Sequence, residues 1–173
     1  PSPNLPTAEA ATVYPGQVIW EGTNVSEGRG TTQPFEIFGA PFIAPEEIEP
    51  ALGNHYLAGI HLRPIAFEPT SNKWLQSLCY GFQLHVLDRH QYRPYISSLA
   101  ILKAVHNLYP ERLAWKAPPY EFEYEKHPFD LITGDRSVRE TIERNGSLHA
   151  LESDWEKDLK RFDEMRKAVF LYR

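Results

Sequence analysis

Apolar and polar side chains alternate through "LCYGFQLHVLD". Tyr80, Phe82, Leu84 and Val86 fall on one face, with Cys79, Gly81, Gln83 and His85 on the other. Period-two alternation predicts a half-buried strand, and this is the strongest one in the chain. "IHLRPIAFEP" alternates too but is interrupted at Pro64, which predicts a bulge or an edge position, because proline has no N–H for the ladder. "QVIWE" and "PFEIFGAPF" are two further predicted strands. From Arg93 to Tyr109 the period becomes helical, with Leu99, Leu102, Val105, Leu108 and Tyr109 on one broad side. A helix from about Asp135 to Arg144 is stopped by Asn145-Gly146. A last helix from Ser147 carries Leu148, Leu151, Trp155, Leu159 and Phe162 down one stripe, which places Trp155 in the core.

The front of the chain is different. Pro1, Pro3 and Pro6 predict an extended linker, followed by a short helix ending at Tyr14-Pro15-Gly16, so residues 1–16 read as a junction. "APEEIEPALG" predicts a short acidic helix entered through Pro45. Residues 17–173 then form a single domain of mixed α/β (α+β) class: a small, partly barrel-like β-sheet flanked by helices, with a helical C-terminus. No repeat or low-complexity tract interrupts it.

Composition narrows the function classes. In 173 residues, 42% are hydrophobic and 24% charged, an ordinary globular balance. The net charge of −5 argues against nucleic acid or an anionic membrane surface as the main partner. No apolar run approaches the roughly 18 residues of a membrane span. The single cysteine, Cys79, excludes an internal disulfide. Histidines 55, 61, 90, 106, 127 and 149 show no ligand spacing, so no metal is expected, and no cofactor motif is present. The chain begins at Pro1 without a signal peptide, which predicts a piece of something longer.

Candidate chemistry concentrates in "WEGTNVSEGRGTTQPFE", Trp20 to Glu36. Such a stretch is expected to bury little and to be expensive to order. Gly22, Gly28 and Gly30 let a ligand approach the main chain, and successive N–H groups in such turns form anion-binding concavities. Arg29 between two of these glycines offers a planar fork for a carboxylate. Thr23, Asn24, Ser26, Thr31 and Thr32 are short donors and acceptors suited to sugar hydroxyls and amides. Glu21 is a weak candidate proton donor. Loops of this composition are also simply turns, and no Gly-Lys-Ser/Thr closes a phosphate loop. Asn24-Val25-Ser26 and Asn145-Gly146-Ser147 match the glycosylation acceptor pattern, a short signal that recurs by chance. Trp74 in "TSNKWLQ" is the tryptophan expected to face a cleft.

The run "YPGQVIWEGTNVSEGRGTTQPFEIFGAP" resembles the C-terminal half of the exo-β-N-acetylmuramidases, the NamZ-type glycosidases. "PSPNLPT", "LRPIAFEPT", "CYGFQLHVLDR", "RPYISSLAILKAVHNLYPE", "PPYEF", "FDLITGD" and "WEKDLKRFDEMRKAVFLY" agree in order, so the resemblance covers essentially the whole chain. It implies an enzyme that removes N-acetylmuramic acid from non-reducing ends of peptidoglycan fragments, secreted or periplasmic in its full-length form. It also implies an N-terminal Rossmann-like domain, absent here, that carries the catalytic glutamate and joins this region at a cleft. Residues 17–173 would then be the C-terminal substrate-recognition domain, inert alone and without a catalytic residue of its own.

Discrimination of N-acetylmuramic acid needs a cation or an N–H nest at its lactyl carboxylate, and Arg29 is the first candidate, Arg63 the next. Gln83 and His85 on the less apolar strand face are further candidates for the cleft, although a lone strand histidine is commonly structural. Two alternatives stand beside this reading. One is a stand-alone muropeptide or anionic-glycan binding module. The other is a complete small hydrolase using Glu21 and Glu36 as its carboxylate pair.

Overall fold

Cys79–Val86 forms the central strand, β3, of an open three-stranded antiparallel sheet in the computed structural model, which describes residues 2–171. β1 (Ile37–Ala40) pairs on one side with Phe38 opposite Phe82, and β2 (Ile60–Phe67) on the other with Arg63 opposite Gln83. Pro64 pairs opposite Phe82 without a bulge, because β2 is an edge strand and its missing N–H deprives no neighbour. The mixed α/β class stands, and the three strands, in the order β1-β3-β2, do not close into a barrel.

The inner face is aromatic. Trp20 stacks on Phe38 with ring centroids 4.9 Å apart, and Phe38 lies 5.8 Å from Phe82. α3 (Pro94–Leu108) contributes Leu99, Leu102 and Val105 to the same buried cluster, as its spacing predicts, together with Ile96 and Ile101, whereas Leu108 on the predicted stripe is 40% exposed and Tyr109 only partly buried. α1 (Ala8–Gln17) packs against α3. Its last residue ties the two to the sheet: the Gln17 amide donates to Ser98 Oγ (2.9 Å) and accepts from Trp20 Nε1 (3.0 Å). Thr7 caps α1 by accepting from the Ala10 N–H and donates to Glu36 Oε1 at 2.6 Å.

Two expectations at the front are corrected. α1 is not ended by Tyr14-Pro15-Gly16 but runs through these residues to Gln17, held by the burial of Val13, Gly16 and Gln17. "QVIWE" is not a strand: Val18–Gly22 form a 3₁₀ turn in which the consecutive residues Ile19 and Trp20 are both buried.

α2 (Pro45–Ala51) enters through Pro45 and buries Ile48. α4 (Pro128–Thr133), overlapping "FDLITGD", is a helix that periodicity did not signal because only six residues form it. α5 (Arg136–Glu143) starts at the Asp135 cap, and α6 (Leu148–Lys167) at Ser147. The stripe on α6 is only partly used. Leu148 and Leu151 are buried and Trp155 is half-buried against Tyr95, so Trp155 is not a full core residue. Leu159 and Phe162 are 62% and 59% exposed. Among the described residues no helix is long and apolar enough to cross a membrane.

Candidate functional site

The glycine-rich loop buries far more than its composition implies. Val25 and Phe35 reach the core, and Thr23, Ser26, Glu27 and Glu36 are nearly inaccessible. Ser26 exchanges backbone hydrogen bonds with Gly39, so the loop adds one bridge to the outer edge of β1. The turn is built on Gly28 and Gly30, with φ of 79° and 81°. A Cβ on Gly30 would also lie 2.5 Å from the Ser71 nitrogen, so a side chain there meets backbone.

The hydroxyls mostly serve the loop itself. Thr23 Oγ1 donates to the Trp20 carbonyl and accepts from Val25 N–H. Ser26 Oγ accepts from Gly28 N–H, and Thr31 Oγ1 donates to the Gly28 carbonyl. Thr32 is exposed.

Against this loop lies a cavity of about 780 Å³. Glu21, Thr23, Asn24, Glu27 and Arg29 form one wall. Asn72, Lys73 and Trp74 form a second, and Trp115 with Lys116 a third. The walls are sewn together by backbone. Asn24 N–H donates to the Ala114 carbonyl and Lys116 N–H to the Gly22 carbonyl, both at 2.9 Å. The Asn24 side-chain amide donates to the Arg112 carbonyl (2.9 Å) and accepts from Ala114 N–H (3.0 Å).

The 72–76 wall is strained. Asn72, Trp74 and Gln76 all have positive φ, at 64°, 59° and 54°. For a bulky residue such as Trp this is a rare conformation, held only when its surroundings enforce it. Trp74 Nε1 donates to the Asn24 carbonyl at 2.6 Å. Lys73 Nζ donates to the carbonyls of Trp20 (2.7 Å) and Val25 (3.0 Å) and to Glu27 Oε2 (2.8 Å).

The charges form a linked set. Arg29 donates to Glu21 at 2.6 Å and pairs with Glu27 at 3.1 Å, and Glu27 also holds Lys73. Tyr120 donates to the second oxygen of Glu21 at 2.8 Å. Burial pulls the Arg29 guanidinium down, but the hydrogen bond and charge of Glu21, with Glu27 beyond, outweigh it and hold the group above its ordinary range. For Lys73 burial wins over Glu27, and its ammonium titrates below the usual lysine value. Burial and then the Glu21 hydrogen bond push the Tyr120 phenol well up.

Of the residues singled out in the sequence, Glu21, Thr23, Asn24 and Arg29 therefore meet at one cavity, with Ser26, Gly28, Gly30 and Thr31 shaping the loop behind it. Arg63, Gln83 and His85 form a separate group on the sheet, where the Arg63 guanidinium donates to Gln83 Oε1 and to His85 Nε2. Glu36 is turned away to Thr7, so it makes no pair with Glu21 at this cavity. Trp74 lines the cavity as expected, whereas Trp20 is wholly buried. Sequence reasoning missed Glu27, Lys73, Lys116 and Tyr120. Only Glu27 carried a local signal, two residues before Arg29.

The family profile described as exo-beta-N-acetylmuramidase NamZ, C-terminal, matches residues 12–172. The chain belongs to that family. Over 173 residues it is 40% identical to the peptidoglycan beta-N-acetylmuramidase NamZ of Bacillus subtilis (strain 168), an alignment covering 99% of this chain and 40% of that protein. Two crystal structures of DUF1343 family proteins from Bacteroides fragilis NCTC 9343 share the fold. One superposes with a TM-score of 0.81 at 25% identity, over 99% of this chain and 44% of the other. The second gives 0.70 at 29% identity, over 100% and 43%. The chain thus spans less than half the length of each of these relatives. Every residue lining the Glu21–Lys116 cavity falls within the segment matched by the NamZ C-terminal profile.

Proposed function

We propose that this chain is the substrate-recognising C-terminal part of an exo-acting peptidoglycan glycosidase that releases N-acetylmuramic acid from non-reducing ends. The Bacillus subtilis relative is, by its name, a peptidoglycan beta-N-acetylmuramidase. In this reading the cavity walled by Glu21, Arg29, Trp74 and Trp115 contributes to the substrate cleft, and an N-terminal Rossmann-like domain of the same protein closes it and supplies the catalytic apparatus. The observation that carries the division of labour is the state of Glu21. Both of its oxygens already accept hydrogen bonds, from Arg29 and Tyr120, so it acts as a positioning group and not as the proton donor. Because the polymer lies outside the cytoplasmic membrane, the full-length protein would work in a secreted or periplasmic setting.

The test compares the purified chain with the full-length protein on a chromogenic N-acetylmuramide and on muropeptides. Release of N-acetylmuramic acid is expected from the full-length protein alone. Release by the isolated chain, abolished by Glu21→Gln, would overturn the reading in favour of a complete small hydrolase. Tight binding by the isolated chain with no turnover from the full-length protein would instead establish a binding module.

A further inference from the structure

The cavity has three cations, Arg29, Lys73 and Lys116, against two carboxylates, Glu21 and Glu27, which leaves one positive charge in excess. The excess can be located. Arg29 is shared by Glu21 and Glu27, and Lys73 is enclosed by Glu27 and two carbonyls. Among the described residues no carboxylate lies within ion-pair distance of Lys116, whose Nζ sits over the Tyr120 ring, 5.0 Å from its centroid. Its backbone is fixed by the bond to Gly22 and by the adjacent Thr23–Trp115 bridge, so the base of an exposed side chain is anchored at the cavity wall. The protein as a whole is net negative, so attraction of an anion must be local.

We propose that Lys116 is the residue by which this cavity selects a sugar bearing one carboxylate, with Trp74 and Trp115 presenting apolar surface to the sugar and Arg29 acting as scaffold. The proposal rests on the muramidase reading and deepens it. It moves the recognition of the lactyl carboxylate from Arg29, whose charge is spent inside the wall, to Lys116. The strained backbone at Trp74 supports a ligand-facing role for the opposite wall, since such conformations persist where a site is pre-organised.

Binding of N-acetylmuramic acid and of N-acetylglucosamine to the full-length protein, followed by the tryptophan indole N–H signals in NMR titrations, tests it without relying on turnover. Wild type should prefer the acid. Lys116→Ala should weaken N-acetylmuramic acid about tenfold, near 1.4 kcal/mol, while N-acetylglucosamine changes less than about twofold. Lys116→Arg should keep most of the preference and Lys116→Glu should reverse it. The wild-type preference should also shrink with added salt, because the ammonium is exposed.

An unchanged preference in folded Lys116→Ala, or no binding of either sugar by wild type, would overturn the proposal. Muropeptide turnover separates the two levels. If N-acetylmuramic acid is released but Lys116→Ala keeps full preference, the assignment of Lys116 fails and the muramidase reading survives. If nothing is released but the acid binds in a Lys116-dependent way, the reverse holds.

Discussion

Glu27→Gln removes one negative charge from the junction of two walls. The Glu27 side chain is 5% exposed, and its two oxygens pair with Arg29 at 3.1 Å and Lys73 at 2.8 Å. Glutamine has the same shape but one acceptor oxygen, so its NH₂ must face one of the two cationic donors. Hydrogen bonds to charged groups contribute roughly 1.5–3 kcal/mol against about 1 for neutral ones. Two weakened contacts would therefore remove about 2–3 kcal/mol, short of the 3–5 kcal/mol typical for a buried ion left wholly unpaired. That upper range does not apply because Arg29 keeps Glu21 and Lys73 keeps two carbonyls.

At about 2–4 °C per kcal/mol for a chain of this size, Tm should fall by about 5–10 °C. The denaturant m-value should stay constant, because the surface exposed on unfolding is unchanged. Calorimetry and urea titration at low and high salt measure both. The pair is enclosed, so the loss should differ little between the two salt conditions. A Lys73→Met background should reduce the effect of Glu27→Gln by about 1 kcal/mol or more, since the two side chains are in contact. A Tm change below about 2 °C, or one that disappears in salt, would refute the view that this ion set clamps the loop.

Tyr92→Phe should raise Tm by about 2–4 °C, because the buried Tyr92 hydroxyl has no hydrogen-bond partner and deletion of an unsatisfied group gains about 1 kcal/mol. A fall in Tm in a calorimetric scan would show that the hydroxyl is satisfied. Stability should decline above pH 10, where tyrosines of the unfolded chain ionise while burial keeps Tyr92 and Tyr120 protonated and moves Tyr95 to about 12. The sign follows from proton counts: with folded values raised above 10.0, the native state holds more protons there, so rising pH favours unfolding. Lys73, with its lowered value, acts oppositely below 10.5 as the unfolded chain then holds the extra proton. Urea titrations between pH 8 and 12 read the balance, and a stability that rises throughout this range would contradict it.

β3 and α3 were legible because each is long enough to show its period, although burial is broader than the period: Gln83 beside Phe82 and Ser97 and Ser98 beside Leu99 are buried as well. "QVIWE" was not, because a short apolar run with adjacent buried residues, here Ile19 and Trp20, reads equally as a buried strand or a helical turn. The α6 stripe shows the converse limit: periodicity says that a face is apolar, not that anything covers it, and Leu159 and Phe162 stay exposed. At the candidate site, Glu21, Thr23, Asn24 and Arg29 could be named because one loop carries them. Lys73, Trp115 and Lys116 reach the same cavity from distant segments, and nothing local to them signals it. The roles within the loop were less legible than its membership. Composition identifies Arg29 as a cation but cannot show that two carboxylates already surround it.

Cavity size alone would point elsewhere. A hollow of about 830 Å³ lies between the start of α3, α5 and α6, slightly larger than the one at Lys116. Its walls include Tyr95, Trp155 and Leu159, and in its ion pair of Arg93 with Glu152 the arginine side chain is 62% exposed. The smaller cavity differs in how firmly its groups are held. Trp74 occupies an unfavourable backbone region only because its indole bonds Asn24 and the neighbouring Lys73 is gripped at three points. Asn24 is in turn locked to residues 112–114, next to Trp115 and Lys116. A ligand entering such a site meets dipoles and rings already in place and need not spend interaction energy on ordering them. The glycine-rich loop is thus the frame of the site more than its contact surface: Gly28 and Gly30 let the chain fold tightly enough for Glu27 to bridge Arg29 and Lys73, and that bridge sets the distance between the two walls.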